Sequence, residues 1–333
     1  MRFSGPTYAY LQVSRKCRGC DLDCYAPPDG SSLSLKEAKS IADMLWNAKV
    51  FIVLIDGGEP LLWEGIAALV SHFRSKPMAT AIVSGGEDIS AAQALKKADL
   101  SMIHFPVDGP EEYHDRLRGK GSFQRVLEAI KTFCDLGIDT HVGTVMSPSS
   151  LQYLEEISDI VSAFPVRAHR VLRYIHSTEY LNPEQCMNVL SRILALAEKG
   201  RPIGPTNCYT FLKQTPYIKR INLGRFQGCV GGKTSAVITC DGYVVPCPHF
   251  ASKRIAESID APRIWDQDVR TIWKTWDFLE EFRKGLRECQ NCPDLSLCGG
   301  CRAAAYHATG TLEYDPGCPV GRKYAERGTA EET

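Results

Sequence analysis

Strand-like apolar runs alternate with helical patterns through the first two hundred residues, and this alternation limits the possible folds more than any other feature. The predicted strands are Tyr8–Val13, Val50–Ile55, Met78–Val83, Leu100–Val107, 138–146 and 166–174. The helical patterns cover Leu35–Trp46, 62–75, 89–97, Ser122–Leu136, 150–163 and a last segment that begins at Pro183. Repeated strand–helix units predict a parallel sheet with helices outside it, and six of them predict an α/β fold with a partial (β/α)6 barrel.

Two predicted helices carry explicit start signals. Ser34 and Glu37 form a capping box before an amphipathic stretch, and Asn182 is a cap that places Pro183 at the first helical position. Beyond Gly200 the periodicity fades and Gly, Pro and Cys become frequent. We therefore predict a barrel over 1–200, a bridging segment over 201–225, a small metal-stabilised domain over 226–320 and a polar tail over 321–333.

Cysteine is the second constraint, because ten of the 14 cysteines fall into two groups. The groups are Cys17, Cys20 and Cys24 near the N-terminus, and Cys229, Cys247, Cys289, Cys292, Cys298, Cys301 and Cys318 in the last third. Thiols at such short spacing, in a chain long enough to bury a large core, indicate iron–sulfur or zinc ligands rather than disulfides. The remaining Cys134, Cys186, Cys208 and Cys240 are expected to be buried free thiols.

The charge pattern excludes other classes of function. The 39 basic and 39 acidic residues cancel, and no basic stripe carries interleaved aromatic residues, so we expect no nucleic-acid partner. No run approaches the ~18 consecutive apolar residues of a membrane span. Residues Met1–Thr7 lack the pattern of a signal peptide. A soluble, cytoplasmic protein is therefore expected.

Two distinctive motifs follow the first two predicted strands. The first is Cys17-Arg-Gly-Cys20-Asp-Leu-Asp-Cys24, whose three thiolates can hold three irons of a cubane and leave the fourth iron open. The second is Asp56-Gly57-Gly58-Glu59-Pro60, in which the glycines allow a close approach of the backbone to a ligand and the carboxylate can meet an ammonium group. Taken alone, the first could also be part of a zinc site and the second a tight loop.

At successive strand ends, these motifs together resemble the radical S-adenosylmethionine (SAM) superfamily, across roughly Tyr8–Tyr174. Ser84-Gly85-Gly86 after the third strand, and Val107-Asp108-Gly109 with Arg118-Gly119 after the fourth, extend the resemblance. It implies that Cys17, Cys20 and Cys24 ligate a [4Fe–4S] cluster whose open iron chelates SAM. It also implies reductive cleavage of SAM to a 5′-deoxyadenosyl radical that abstracts a substrate hydrogen. The cofactor-binding residues it implies are Gly57, Gly58 and Glu59, which would contact the methionine moiety, with Pro60, Ser84 and Asp108.

The cysteine loop departs from the family pattern in two ways. Its spacing is C-x2-C-x3-C rather than C-x3-C-x2-C, with the same overall span. The residue before the last cysteine is usually an aromatic residue near the adenine, whereas here it is Asp23. Tyr25 is the candidate substitute for that adenine contact.

The C-terminal cysteines form a long string, Cys229, Gly242-x4-Cys247, Cys289-x2-Cys292-x5-Cys298-x2-Cys301 and Cys318. It resembles the SPASM extension of radical SAM enzymes, which binds two auxiliary iron–sulfur clusters, with a two-residue rather than three-residue gap before Cys301. By analogy the ligands would be Cys289, Cys292, Cys298 and Cys318 for one cluster, and Cys229, Cys247 and Cys301 for the other. The fourth ligand of the latter would be Cys208, Cys240 or none, and Cys240 lies in the strand-like run Ala236–Val245. Zinc ribbons separate their cysteine pairs by ~15–20 residues rather than the five found here, which disfavours structural zinc.

The resemblance implies an enzyme and leaves two substrate classes open. SPASM enzymes are most often maturases that modify a peptide or protein side chain. However, Cys298-Gly-Gly-Cys301-Arg-Ala-Ala-Ala-Tyr306 and Tyr314-Asp-Pro-Gly-Cys318 resemble the ends of enzymes that remodel haem-type tetrapyrroles. Either reaction implies an electron donor such as ferredoxin or flavodoxin. A non-catalytic, zinc-stabilised binding protein is the alternative from a different class.

Basic residues are concentrated on the sixth predicted strand, at Arg167, His169, Arg170 and Arg173. They either face the barrel interior and an anionic ligand, or cap the sheet.

Overall fold

The computed structural model describes residues 3–18, 24–175, 179–206, 209, 228–296 and 298–320. The described strands are β1 (Tyr8–Ser14), β2 (Ile52–Gly57), β3 (Ala79–Val83), β4 (Met102–Pro106), β5 (Asp139–Met146), β6 (Ala168–Arg173), β7 (Ile203–Pro205), β8 (Ser235–Ile238) and β9 (Val244–Val245). They form one sheet in the order β7-β6-β5-β4-β3-β2-β1-β8-β9. Neighbouring strands from β7 to β1 are parallel, β8 adds in parallel beside β1, and only the β8–β9 pair is antiparallel.

The described helices are α1 (Leu35–Asn47), α2 (Ile66–Arg74), α3 (Ala92–Lys97), α4 (Glu111–Arg118), α5 (Ser122–Asp135), α6 (Leu154–Ser162), α7 (Pro183–Glu198), α8 (Lys253–Ser258), α9 (Val269–Thr275), α10 (Asp277–Lys284) and α11 (Arg302–Thr309). The six predicted strand–helix units are therefore present, and the α/β fold with a partial barrel is confirmed. Both predicted helix starts are confirmed as well, since Ser34 with Glu37 and Asn182 with Gln185 close capping boxes. No described helix is long and apolar enough to cross a membrane.

Three elements differ from the sequence-based expectation. Helix α4 was not predicted, because its only buried residues are Tyr113 and His114 and it shows no apolar stripe. Strand β7 lies within the predicted bridge and extends the sheet beside β6. The strand-like run Ala236–Val245 is a β8–β9 hairpin rather than one strand, because the chain reverses at Gly242, where φ is +87° and a Cβ would meet the ring of Trp265 at 2.2 Å.

The main core lies between the sheet and its surrounding helices. Leu11, Ile55 and Ile103 of the strands are fully buried there with Val126 and Phe133 of α5. Burying each side chain of this size contributes roughly 1.5–3 kcal/mol. A second buried cluster joins Phe250, Phe282 and Cys301 of the C-terminal region to Val237 and Val245 of the hairpin. The sheet therefore supports both regions in which the sequence places candidate ligands.

Candidate metal centres and cofactor site

The two glycines after β2 are required by the chain's own backbone. A Cβ on Gly57 would lie 2.1 Å from the Ser14 carbonyl oxygen, and one on Gly58 would lie 2.5 Å from that of Lys16. In this close approach the Gly58 amide donates to the Ser14 carbonyl at 2.7 Å, and the Glu59 amide donates to the Lys16 carbonyl at 2.8 Å. The end of β2 thus fixes the backbone that leads into Cys17. Contact of either glycine with a cofactor stays a prediction.

Glu59 joins the ends of β2 and β3. Its carboxylate is 1% exposed, and its Oε1 accepts hydrogen bonds from the Leu61 amide at 2.9 Å and the Ser84 hydroxyl at 2.7 Å. Its Oε2 accepts from the Gly85 amide at 2.7 Å. Burial raises the pKa of Glu59 to about 7, while these hydrogen bonds act in the opposite direction. Glu59 also caps the short 3-10 helix Pro60–Leu62, so Pro60 lies in the same turn.

Asp108 connects the ends of β4 and β5, as Glu59 connects the ends of β2 and β3. Its Oδ2 accepts from Arg118 Nε at 2.6 Å, and its Oδ1 accepts from the Val145 amide at 2.9 Å. The buried carboxylate therefore connects the end of β4 with β5 and with α4. Both of its oxygens are engaged by the chain, and a role in cofactor binding stays a prediction.

The cysteine loop is described only at its two ends. Cys17 and Cys24 are half-buried and form no disulfide, whereas Cys20 and Asp23 lie outside the described residues. The thiol of Cys24 accepts from the Ala26 amide at 3.3 Å. The Tyr25 ring stands edge-on to the His249 ring with centroids 6.0 Å apart, which brings this loop against the C-terminal region. Burial raises the pKa of Tyr25, and a hydrogen bond with the Asp56 carboxylate adds to that shift.

Two buried polar side chains face away from the helices, and sequence reasoning did not assign them a role. Leu11 and Ile55 pack against the helices, so their neighbours Gln12 and Asp56 project from the opposite face of the sheet, which we call the inner face. Gln12 and Asp56 occupy paired positions on β1 and β2. Neither amide atom of Gln12 nor Oδ1 of Asp56 has a hydrogen-bond partner within the described chain. Burial raises the pKa of Asp56 to about 7, although the hydrogen bond from Tyr25 acts to lower it.

A basic group occupies the inner face on β4, β5 and β6. His104 and His141 are paired across β4 and β5, with ring centroids 6.2 Å apart, and Arg170 follows on β6. Burial, with His141 and Arg170 adding to it, lowers the pKa of His104 to about 4, so this ring is neutral near pH 7. Of the other basic residues predicted on this strand, Arg167 is exposed and His169 lies on the helix side, 2.7 Å from the Thr144 hydroxyl.

Four of the C-terminal thiols are neighbours. Burial raises the pKa of Cys289, and after Glu288 the contributors are the thiols of Cys318, Cys298 and Cys292. These are the four cysteines that the SPASM resemblance assigns to one cluster. Their ligation of metal stays a prediction, and no three His, Cys, Asp or Glu side chains among the described residues already form a group that could hold a metal ion.

Two of the three cysteines of the second predicted ligand set lie at the second core cluster. Cys301 caps α11, with its thiol accepting from the Ala304 amide at 3.4 Å, and it packs in this cluster together with Cys247. Cys229 and Cys298 both lie within electrostatic range of Lys233. Cys240, one of the candidates for the fourth ligand, packs instead in the main core beside Arg15 and Asp241. The other candidate, Cys208, lies outside the described residues.

A buried ion pair connects the barrel to the C-terminal cysteines. Arg173 at the end of β6 and Asp315 form two hydrogen bonds of 3.0 and 2.5 Å, and both side chains are almost fully buried. Asp315 also accepts from the amides of Cys301 at 3.1 Å and Gly317 at 3.0 Å. The segment that carries Cys301 and Cys318 is therefore held against the barrel.

The donor set fits iron–sulfur chemistry. The predicted ligands that the structure describes are cysteines outside any disulfide, and soft thiolates select iron–sulfur clusters or zinc over hard cations. The buried guanidinium of Arg302 next to Cys301 has two nitrogens without a hydrogen-bond partner in the described chain, as expected beside an anionic group. When bound, the cluster and SAM supply one-electron chemistry, and the protein supplies position and a dry environment.

Comparison with known proteins supports the same assignment. Residues 14–161 match the radical SAM superfamily, and residues 229–302 match an iron–sulfur cluster-binding domain, SPASM. An AdoMet-dependent heme synthase of Oleidesulfovibrio alaskensis is 21% identical over 329 residues, covering 91% of this chain and 83% of the relative. The mycofactocin maturase MftC of Mycolicibacterium smegmatis is 25% identical over 310 residues, covering 88% and 76%. The crystal structure of Streptococcus suis SuiB bound to its precursor peptide SuiA superposes with a TM-score of 0.75 at 17% identity, covering 94% and 76%.

These matches show that the chain is an enzyme. Its cofactors are a [4Fe–4S] cluster, SAM and auxiliary iron–sulfur clusters. With the strand-end motifs and the C-terminal thiols in the places described, the chain belongs to the SPASM-domain subgroup of the radical SAM superfamily.

Proposed function

We propose that this enzyme is a maturase that abstracts a hydrogen from a peptide or protein side chain held against the inner face of the barrel. The observation that carries the proposal is that both amide atoms of Gln12 and Oδ1 of Asp56 are buried without a hydrogen-bond partner among the described residues. A side-chain amide with both its donor and its acceptor unused fits a peptide amide, which offers the complementary acceptor and donor. The unused Asp56 oxygen accepts one further N–H.

The position of this pair supports its role in substrate binding. Asp56 directly precedes Gly57 and Gly58, which hold the start of the cysteine loop, and it hydrogen-bonds with Tyr25 next to Cys24. A group bound to Gln12 and Asp56 is thus close to the predicted radical centre. Leaving three polar atoms buried without partners costs about 1–3 kcal/mol each, which a substrate with matching groups would recover.

The remaining assignments of the site are part of the same proposal. Cys17, Cys20 and Cys24 bind the radical cluster, while the C-terminal thiols bind two auxiliary clusters. Glu59, already anchored by Ser84 and Gly85, keeps lone pairs on its carboxylate for the SAM ammonium. A low-potential donor such as ferredoxin or flavodoxin supplies the electron. A reducing compartment, the cytoplasm, suits a chain whose described cysteines form no disulfide.

A second candidate function rests on a different observation. The Arg170 guanidinium on the inner face, beside the neutral His104 ring and beside His141, favours an anionic substrate, and haem-type tetrapyrroles carry carboxylate side chains. The heme synthase among the relatives supports this candidate. Asp56 acts against it, because a second carboxylate near that oxygen is repelled when both are ionised.

The two candidates are separated by asking which substrate stimulates SAM cleavage. Anaerobically reconstituted enzyme is given SAM, a reductant, and either a peptide encoded by a short neighbouring gene or an iron porphyrin with propionate side chains. The maturase proposal predicts that 5′-deoxyadenosine forms faster with the peptide and that the peptide changes mass. Stimulation by the porphyrin alone would overturn it in favour of the second candidate.

Substitutions in the sheet test whether the peptide binds at the inner face. Gln12→Leu should weaken peptide-stimulated turnover and leave uncoupled SAM cleavage unchanged. Thr80→Val is the matched control, because Thr80 also has a buried, unpartnered oxygen but lies on the helix side of the sheet. Equal effects of the two substitutions would show that Gln12 acts only through stability.

A further inference from the structure

Arg302 is a buried cation whose charge is not balanced within the described part of the chain. It is 1% exposed, and only its Nη1 is hydrogen-bonded, donating to the carbonyl oxygens of Cys298 at 2.8 Å and Gly300 at 2.5 Å. Its Nε and Nη2 have no hydrogen-bond partner among the described residues. Its guanidinium lies 5.0 Å from the centroid of the Phe282 ring.

None of these contacts supplies a charge of opposite sign. Removing an ion from water is costly unless a counter-charge and a full set of hydrogen bonds compensate it. The Phe282 ring and the two carbonyl oxygens are uncharged, and the carbonyls accept only from Nη1. Two N–H-bearing nitrogens would still be left without acceptors, which is rare for buried guanidinium groups. An anionic acceptor therefore belongs beside Arg302.

Lys233 connects this cation with two predicted metal ligands. The Lys233 ammonium lies within electrostatic range of Arg302 and of the thiols Cys229 and Cys298, and it donates to the Ser296 carbonyl at 3.0 Å. Two cations and two thiols thus share one location, and no carboxylate forms an ion pair with either cation in the described residues. A group that is both thiolate-bound and anionic would balance them.

The position of the Phe282 ring shows which predicted cluster lies beside Arg302. A Cβ on Gly231 would lie 3.6 Å from both the Phe282 ring and Cys247, and one on Gly232 would lie 3.0 Å from that ring. Arg302, stacked on the same ring, therefore adjoins the turn between Cys229 and Cys247. It also directly follows Cys301 in the chain. These three cysteines are the ligands proposed for the auxiliary cluster that lacks an assigned fourth thiolate.

We propose that Arg302 is a positioning residue for the auxiliary cluster at Cys229, Cys247 and Cys301, donating Nε–H and Nη2–H to its sulfurs and raising its reduction potential. The inference rests on the auxiliary ligation proposed above. One-electron reduction adds a negative charge to a buried cluster, and a fixed cation with hydrogen bonds to the sulfurs stabilises the reduced form. Lys233 contributes charge from a less buried position.

The test is a redox titration of the auxiliary clusters by electron paramagnetic resonance, in anaerobic holoenzyme carrying Arg302→Gln, Arg302→Lys or Lys233→Gln. At the wild-type midpoint, Arg302→Gln should lower the ratio of reduced to oxidised cluster about tenfold, a downward shift of about 59 mV for one electron. Arg302→Lys and Lys233→Gln should lower it less. The matched control is Arg254→Gln, which removes an exposed arginine from α8 and should leave the midpoint unchanged.

The outcomes separate this inference from the ligand assignment. Cys229→Ala should remove the signal whose midpoint moves, together with its iron. If that signal is present but unmoved in Arg302→Gln and Arg302→Lys at full iron content, the Arg302 inference is wrong and the ligation stands. If no signal depends on Cys229, or the shift falls on the cluster that depends on Cys289, the assignment to this cluster is overturned. If Arg302→Gln loses its iron, the midpoint potential is measured in Arg302→Lys and Lys233→Gln instead.

Discussion

The end of β2 and the start of α11 both bury a charged side chain beside predicted metal ligands, yet they satisfy that charge in different ways. Glu59 accepts three hydrogen bonds from neighbouring strand-end residues. Arg302 uses one of its three nitrogens and leaves two without partners in the described chain. The barrel site is therefore built by the fold, whereas the C-terminal site is completed by what binds there.

The largest effect should come from removing the radical cluster. Replacing Cys17, Cys20 and Cys24 together by Ala should abolish 5′-deoxyadenosine formation, because no thiolate of the N-terminal loop remains to hold the iron that binds SAM. The auxiliary iron should stay, since its ligands belong to another region. Chromatography of the product and iron analysis measure both, with Cys134→Ala on α5 as a control cysteine outside the clusters. Cleavage that persists in the triple variant would show that another site binds SAM.

Removing the iron should affect the C-terminal region more than the end of β2. Chelation under anaerobic conditions should speed hydrogen exchange of the Cys292, Cys298 and Cys301 amides about tenfold or more, because metal-binding energy is folding energy in this region. The Gly58 and Glu59 amides, which donate to the backbone of β1 and its loop, should change much less. Exchange measured by mass spectrometry checks this difference. Equal acceleration in both regions would show that bound metal does not stabilise the C-terminal region more than the barrel.

Asp56 should make the barrel sensitive to pH. Its folded pKa, about 7, lies above the ordinary value of 3.8, so the folded state holds a proton that the unfolded state releases between these values. Stability from this group is therefore complete below about pH 4, falls as pH rises to 7, and is constant above that. The full change is on the order of 4 kcal/mol.

Asp56→Asn removes this dependence. The melting temperature of the variant relative to the wild type should rise between pH 5 and pH 7.5, as measured by anaerobic thermal unfolding. A difference that stays constant across this range would mean that Asp56 titrates at an ordinary pKa in the folded protein.

A smaller effect is expected from one hydrogen bond of the Glu59 network. Ser84→Ala removes the hydroxyl that donates to Glu59 and accepts from the Gly86 amide, which should cost about 1–3 kcal/mol of unfolding free energy. Ser71→Ala, at an exposed position of α2, is the control. If both variants melt alike, the network at the strand ends contributes less than its geometry indicates.

The sequence predicted the barrel well because its signals are local. Apolar periodicity and the Ser34 capping box act within a few residues, and the six strand–helix units followed from them. Helix α4 was missed because Asp115 and the turn at Gly119–Gly121 hold it rather than an apolar stripe. The hairpin was missed although Asp241-Gly242, a dipeptide typical of hairpin turns, separates the apolar residues of β8 and β9.

The candidate site was predicted by its motifs but not by its long-range contacts. The cysteine spacing and the Gly57-Gly58-Glu59 turn are recognisable in the sequence, whereas Gln12 is one polar residue in an apolar strand. Its role can be inferred only from the strand register, which places it beside Asp56. Arg302 likewise reads as an ordinary first residue of a helix. Its significance depends on burial against Phe282, which no local pattern encodes.

The metal content of anaerobically purified wild-type protein tests most directly whether its cysteines bind iron–sulfur clusters. Iron, acid-labile sulfide and zinc should be measured in the same sample, with the paramagnetic signals of the reduced protein. We expect iron and sulfide in equal amounts, enough for one radical cluster and two auxiliary clusters, and no stoichiometric zinc. Zinc bound to the C-terminal cysteines with no sulfide would contradict it.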